Sequence, residues 1–82
     1  GDAIQIKSVG TKVLVSANME LVAEGPGVIE IYSVAGRKLQ EVPANSSRTL
    51  VLLPNESGVY IVRARFGNLV KSERVLTSGN FE

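Results

Sequence analysis

Apolar and polar residues alternate along most of this 82-residue chain, and the alternation has the period of two that is typical of β-strands. Side chains point to opposite faces along a strand, so one face of each segment is expected to lie on the core. No window of the sequence has a convincing helical period. The predicted strands are 3–8, 12–17, 28–33, 37–42, 48–53, 58–66 and 69–76, with a shorter and less regular eighth strand at 19–23.

The longest predicted strand, Gly58–Phe66, is expected to be the centre of the domain. It is rich in β-branched and aromatic residues, and turn sequences bound it on both sides. Its odd positions change from apolar to basic, so the second face should be covered only at its start. The even positions are all apolar and should face the core throughout: Tyr60, Val62, Ala64 and Phe66.

Turn residues predict how the strands are connected. Glu24–Gly27 predicts a type II turn with Gly27 at the position of positive φ. Ser33–Gly36 predicts a three-residue hairpin closed by Gly36. The return strand after this hairpin is polar and is predicted to lie at a sheet edge. A loop is expected at 43–47, a buried strand that ends apolar on both faces at 48–53, a tight turn at 67–68 and a tail from 77 onward.

Seven or eight short strands with closely spaced turns indicate an antiparallel, immunoglobulin-like β-sandwich, with a small barrel as the alternative. Eighty-two residues predict a single domain, 1–82. Gly1 has the character of a scar left by tag removal, and the chain is expected to be a fragment of a larger protein.

Composition narrows the functional classes. The chain has no Cys and no His, and its only Asp is Asp2, so the usual residues of zinc sites, haem sites and catalytic Ser-His or Cys-His pairs are missing. We therefore predict a non-enzymatic protein without a cofactor. Nine basic and eight acidic residues give a net charge of +1, with no basic run, which argues against nucleic acid as a partner.

Three segments share their order and spacing with a known family. Ile29–Arg37 resembles a hairpin of the form V-x-I-Y-[ND]-x-x-G-[KQR], and Ser57–Arg63 resembles a strand of the form [SP]-G-[VI]-Y-[IV]-V-[KR]. Gly67–Leu76 is similar to a final hairpin that ends in K-x-x-[KR]-[VIL]-[VIL]. Together they resemble the C-terminal sorting domain of the type IX secretion system of Bacteroidetes, and related C-terminal β-modules of surface proteins.

The resemblance implies a secreted or cell-surface location, reached through the periplasm, and recognition by the outer-membrane secretion machinery. The residues that match its motifs are Gly58, Tyr60, Lys71 and Arg74. The first strand lacks the Tyr-Pro-Asn-Pro signature with which sorting domains often begin. An alternative is therefore a structural or adhesive module that packs on a neighbouring domain of the parent protein or binds a glycan.

Each candidate feature also has a structural explanation. Gly58 can serve the turn into its strand, and Tyr60 can pack on the core with its hydroxyl bonded to the backbone, as in a tyrosine corner. Arg63 and Arg65 share a face and are predicted to make solvated cross-strand pairs, with an anionic lipid or a translocon surface as the functional alternative. Since the chain has no Trp, and Tyr60 and Phe66 are expected to face inward, the candidates for sugar stacking are Tyr32 and Phe81. The seven Glu residues are scattered, which argues against a two-carboxylate hydrolase.

Overall fold

The computed structural model describes residues 3–54 and 58–77. Within these ranges the chain forms strands separated by short turns, with one short helix between the second and third strands. The elements are β1 (Ile4–Val9), β2 (Lys12–Ala17), α1 (Met19–Ala23), β3 (Gly27–Ser33), β4 (Lys38–Ala44), β5 (Arg48–Leu52), β6 (Gly58–Phe66) and β7 (Leu69–Thr77).

The strands form two antiparallel sheets that pack face to face. The smaller sheet has the order β1-β2-β5, and the larger sheet has the order β4-β3-β6-β7. An immunoglobulin-like β-sandwich distributes its strands between two antiparallel sheets in this way, which confirms the predicted fold class. Strand β6 lies between β3 and β7, so its predicted central position is also confirmed.

The core fills the space between the sheets and is built from inward-facing aliphatic residues with two aromatic side chains. All four even positions of β6 from Tyr60 to Phe66 are buried, as the alternation predicts. Leu21 and Val22 of α1 pack against this core from one end of the sandwich, which we call the helix end. The largest fully buried side chains are Phe66, Ile29, Ile31, Val13, Val15 and Val62.

The predicted eighth strand at 19–23 is wrong, because this segment is helix α1. The backbone N–H groups of Leu21 and Val22 donate to the carbonyl oxygen of Asn18 at 3.0 and 3.2 Å, which closes the first helical turn. The segment connects β2 to β3, and these strands belong to different sheets. A single turn of helix spans this short crossing and places two adjacent apolar residues on the core, which alternation does not predict.

The predicted type II turn with a positive φ at Gly27 is also wrong. Gly27 is the first residue of β3 and is buried, and the positive φ belongs to Gly25, at +137°. A Cβ atom at Gly27 would lie 2.5 Å from the ring of Phe66 and 2.8 Å from the carbonyl oxygen of Arg65. The chain needs glycine here because β3 passes too close to β6 for a side chain, not because of backbone conformation.

The hairpin and the tight turn are confirmed. The N–H of Gly36 donates to the carbonyl oxygen of Ser33 at 2.9 Å, and Gly36 has a φ of +91°. Gly67 has a φ of +61° in the turn between β6 and β7. The polar return strand β4 lies at the edge of the larger sheet, as predicted.

Three boundary predictions need correction. Pro43 and Ala44, expected in a loop, continue β4; Pro43 is tolerated because β4 is an edge strand. Thr77, expected in the tail, ends β7 and is buried. Strand β5, expected to be covered on both faces, lies at the edge of the smaller sheet and exposes Leu50 and Leu52. The rest of the predicted tail, 78–82, and residues 55–57 of the predicted loop lie outside the described residues.

Candidate functional site

The four residues that match the sorting-domain motifs all lie on the hairpin β6–β7. Gly58 pairs with Thr77, and Tyr60 pairs with Val75, at the end of the hairpin that lies away from α1. Lys71 pairs with Ala64, nearer the helix end, and Arg74 pairs with Ile61 between them. The hairpin therefore brings the four residues onto two neighbouring strands but distributes them along its length and over both faces.

Gly58 and Tyr60 form one local unit at the start of β6. Gly58 has a φ of +154°, a conformation that L side chains rarely adopt, and a Cβ atom there would lie 3.5 Å from the ring of Tyr60. The ring of Tyr60 is only 3% exposed. The hydroxyl of Thr77 donates to the carbonyl oxygen of Gly58 at 3.4 Å, which ties the start of β6 to the end of β7. The local structural explanation of this Gly-x-Tyr motif accounts for both residues.

Lys71 and Arg74 point to opposite sides of β7, as the alternation predicts. Lys71 is on the core-facing side and half-buried, whereas Arg74 is exposed on the outer face. Lys71 lines a groove of about 210 Å³ between β1 and β7, together with Ala3, Ile4, Leu69 and Val70. This volume is below the range that is usual for small-molecule sites, about 300–1,000 Å³.

The outer face of the larger sheet holds an ion-pair network around Glu30. Its side chain is 12% exposed; Oε2 lies 3.4 Å from Lys38 Nζ, and Oε1 lies 3.6 Å from Arg63 Nη1. Lys38 also donates a hydrogen bond to Glu41, the residue directly opposite Glu30 on β4. Cross-strand pairing is thus observed for Arg63, which sits opposite Glu30 on β6, as the sequence predicted for the basic face.

Two opposing influences act on the pKa of Glu30. Partial burial raises it, but hydrogen bonds from Lys38 and Tyr32 and the charges of Lys38 and Arg63 outweigh burial, so the pKa lies below its ordinary value of 4.5. The hydrogen bond to Glu41 is the main cause that raises the pKa of Lys38. A general acid in glycoside hydrolysis needs a raised carboxyl pKa, and the lowered pKa of Glu30 does not suit that role.

The remaining basic residues of this face, Arg65 and Arg74, are exposed and lie on neighbouring strands. Arg65 pairs with Val70, and Arg74 pairs with Ile61, so the basic residues are interleaved with apolar ones. Arg63 is held by Glu30, so Arg65 and Arg74 are the two basic residues of this face outside the ion-pair network, and they are not directly opposite each other.

Of the two sugar-stacking candidates, Phe81 lies outside the described residues, and Tyr32 is half-buried on the same outer face. Its hydroxyl donates a hydrogen bond to Glu30, the residue two positions earlier on β3. Tyr60 and Phe66 are buried, so within residues 3–54 and 58–77 no second aromatic ring joins Tyr32 on the surface. A sugar platform of stacked rings is therefore not formed by the described part of the chain.

Sequence reasoning missed the Glu30 network as a unit. Alternation identifies Glu30 as an outward residue between Ile29 and Ile31, but its partners depend on which residues of β4 and β6 lie opposite it. A bulge after Ile31 shifts the register so that Tyr32 faces Lys38, which brings the lysine within reach of both carboxylates. The available signal in the sequence was that Glu30 is the one charged residue of β3.

Other kinds of site find little support in the described residues. Among them, no three carboxylates come together in a way that could hold a metal ion. The part of the chain that the structure describes also contains no helix long and apolar enough to cross a membrane. Compared with protein families, curated proteins and solved structures, the chain has no significant match. The fold class and the surface geometry therefore have to carry the functional argument.

Proposed function

We propose that this chain is a non-catalytic β-sandwich module that directs its parent protein to export or surface display through recognition by outer-membrane secretion machinery. One observation carries the proposal. The three segments that resemble a sorting domain supply β3 with its hairpin to β4, then β6, then β7, and these strands adjoin in one sheet. The parent protein would pass through the periplasm and become secreted or surface-bound.

The proposed docking element is the outer edge of β7. Within the described residues, β7 is hydrogen-bonded to β6 alone in its sheet, and β1 lies beside it near the helix end. An edge strand presents backbone N–H and C=O groups that a partner strand can pair with, while alternate side chains give specificity. Arg74 and Leu76 are the exposed side chains at the far half of this strand, and Leu76 is 69% exposed.

The first experiment asks whether the module is sufficient for export. Residues 2–82 are fused behind a periplasmic reporter in a host that has the type IX machinery, and surface reporter is measured by protease accessibility in intact cells. The proposal expects reporter at the surface that is lost in a strain without the machinery. A reporter that stays in the periplasm in both strains contradicts it.

The second experiment asks whether the edge at β7 is the docking element. The pair Arg74→Glu and Leu76→Glu changes charge and polarity on β7, and the matched pair Arg37→Glu and Leu39→Glu makes the same change next to the opposite edge strand, β4. Docking through β7 predicts a loss of about tenfold or more in display for the first pair only, which corresponds to roughly 1.4 kcal/mol of binding free energy. Equal losses would locate recognition elsewhere.

The alternative function is a structural or adhesive module. The exposed Leu76 and the half-buried Val59 and Ile61 form an apolar area on the outer face that a neighbouring domain of the parent protein could cover. Glycan binding is the weaker form of this alternative, because Tyr32 stands without a second ring among the described residues. Binding on a glycan array that is lost with Tyr32→Ala would favour adhesion over sorting.

A further inference from the structure

The outer face of the smaller sheet has a charge pattern that the proposed function does not use. Residues of β1, β2 and β5 that lie opposite one another put three cationic and three leucine side chains on one face of the smaller sheet. Lys7 lies opposite Leu14, which lies opposite Leu50, and Lys12 lies opposite Leu52. We call this surface the cationic face; its members are Lys7, Lys12, Arg48, Leu14, Leu50 and Leu52.

The charge on this face is of one sign. Within residues 3–54 and 58–77, the carboxylates lie in and beside α1, in β3 and β4, and on β7, and none is on the outer side of the smaller sheet. The chain as a whole is nearly balanced, with nine basic and eight acidic residues, whereas this face has three basic residues and none of the described carboxylates. Two copies of the chain meeting through this face would bring like charges together, which disfavours a second copy as its occupant.

Two of the three leucines on this face are more than half exposed, and Leu14 is half-buried. Leu50 is 55% and Leu52 is 61% exposed, although the intervening Val51 is buried in the core. Exposure of large apolar side chains to water is unfavourable, and covering them with another apolar surface lowers the free energy. The occupant of the face must therefore offer both negative charge and an apolar layer.

We propose that the cationic face docks on the surface of an anionic phospholipid membrane, with the lysines and Arg48 at the lipid phosphates and Leu50 and Leu52 in the acyl boundary. Composition distinguishes this occupant from a protein partner. Protein interfaces are enriched in aromatic residues and depleted of Lys, whereas this face has two lysines and no aromatic residue. Lys and Arg beside aliphatic side chains are what an interfacial membrane surface requires.

This inference goes beyond the proposed function and does not depend on it, because the cationic face and the hairpin β6–β7 are in different sheets. Each cation near an anionic bilayer is expected to increase partitioning about fivefold at moderate ionic strength. Salt should weaken the binding, since exposed charges are screened over a Debye length of about 10 Å at 0.1 M.

The first test measures co-sedimentation of the full chain with vesicles of phosphatidylglycerol and phosphatidylcholine, and with vesicles of phosphatidylcholine alone. The triple variant Lys7→Gln, Lys12→Gln and Arg48→Gln should lose about a hundredfold in partitioning to the anionic vesicles. The control removes the same net charge elsewhere, through the exposed residues Arg37, Arg65 and Arg74, each changed to Gln, and should retain binding. Equal losses in the two triple variants, or no binding by the unmodified chain, would overturn the proposal.

The second test uses the absence of tryptophan from the chain. Leu52→Trp places a single fluorophore on the cationic face, and Leu76→Trp places one on the other sheet at a similarly exposed position. Insertion into the acyl boundary predicts a blue-shifted emission for Leu52→Trp with anionic vesicles and an unchanged emission for Leu76→Trp. A shift at Leu76→Trp alone would overturn the assignment of the face.

The third test separates a membrane from an acidic protein. The double variant Leu50→Ser and Leu52→Ser should lose about tenfold in vesicle partitioning, because it removes the side chains that enter the apolar layer. Poly-L-glutamate, which offers charge without an apolar layer, should bind more weakly than the vesicles and should not distinguish the double variant. Binding to poly-L-glutamate as tight as to vesicles, together with no effect of the leucine changes, would replace the membrane with an acidic polypeptide.

Discussion

The two outer faces of the sandwich both carry basic residues, but only one of them pairs some of these residues with carboxylates. On the larger sheet, Glu30 is paired with Lys38 and Arg63, and Glu41 is paired with Lys38. On the smaller sheet, the basic residues of β1, β2 and β5 have no carboxylate beside them in the described part of the chain. The difference shows that the residues on neighbouring strands, and not the composition of one strand, determine whether a charged residue is paired.

The inner faces of the two sheets differ less than their outer faces. Both inner faces are aliphatic and closely packed, with Val13 and Val15 on one side and Ile29 and Ile31 on the other. The sheets are thus equivalent as sources of core and unequal as surfaces. We therefore expect substitutions on the inner faces to affect stability in both sheets, and substitutions on the outer faces to have effects that differ between the sheets.

The largest effect is expected on the inner side of the larger sheet, at Gly27. Gly27→Ala would drive a methyl group into the ring of Phe66 and the backbone of Arg65, and the backbone cannot move aside as a flexible side chain would. We expect a loss of about 2–3 kcal/mol in the free energy of unfolding. Urea unfolding followed by circular dichroism measures it.

Gly10→Ala is the matched control in the smaller sheet. A Cβ atom at Gly10 would meet no atom within 4 Å, and the cost there comes only from its φ of +64°. That cost is expected to be about 1 kcal/mol. If Gly27→Ala cost no more than Gly10→Ala, the close approach of β3 to β6 would not limit the sequence, and the proposed reason for this glycine would be wrong.

An intermediate effect is expected from the ion-pair network on the outer face of the larger sheet. Burial raises the pKa of Glu30. The hydrogen bonds from Lys38 and Tyr32 and the two positive charges lower it by more, so the pKa in the folded protein lies below 4.5. A lowered pKa means that the carboxylate adds stability above the unfolded value and that this stability is lost as the pH falls through the folded value. Glu30→Gln should cost about 1 kcal/mol at neutral pH and progressively less below pH 4.5.

Glu73→Gln is the control for this pH dependence, because Glu73 is exposed on β7 and belongs to no ion pair observed in the described residues. It should change the free energy of unfolding by less than about 0.5 kcal/mol at any pH between 3 and 8. Stability measured across this range would contradict the role of the network if the cost of Glu30→Gln stayed constant down to pH 3.

The strand pattern and the fold class could be predicted from the sequence because alternation is a local property. The central position of β6 and the burial of Tyr60 and Phe66 followed from it directly. Helix α1 could not be predicted, because the need to cross between sheets is set by the sheet order and not by the five residues themselves. The role of Gly27 depends on the distance between β3 and β6, which no local pattern contains.

The candidate site was predicted less completely than the fold. Alternation placed Lys71 and Arg74 on opposite faces of β7, and the structure agrees. It could not identify the partners of Glu30, because a register and a bulge decide them. It also placed Leu50 and Leu52 in a buried strand, since an apolar run reads the same at a sheet centre and at an edge.

The smallest effect on stability is expected at Leu50 and Leu52, and this prediction tests the exposure of the cationic face directly. Leu50→Thr with Leu52→Thr keeps residues that suit a strand and removes apolar surface that the free molecule does not bury. The free energy of unfolding should change by less than about 0.5 kcal/mol. Urea unfolding under the conditions used for Gly27→Ala measures it.

Val51→Ala, between the two leucines, is the internal reference for this measurement. Val51 is buried, so its truncation should cost about 2 kcal/mol. A cost of this size for the two leucines would mean that they are covered in the folded molecule. The two leucines would then give no support to an apolar partner, and the two outer faces would differ only in how their charged residues are paired.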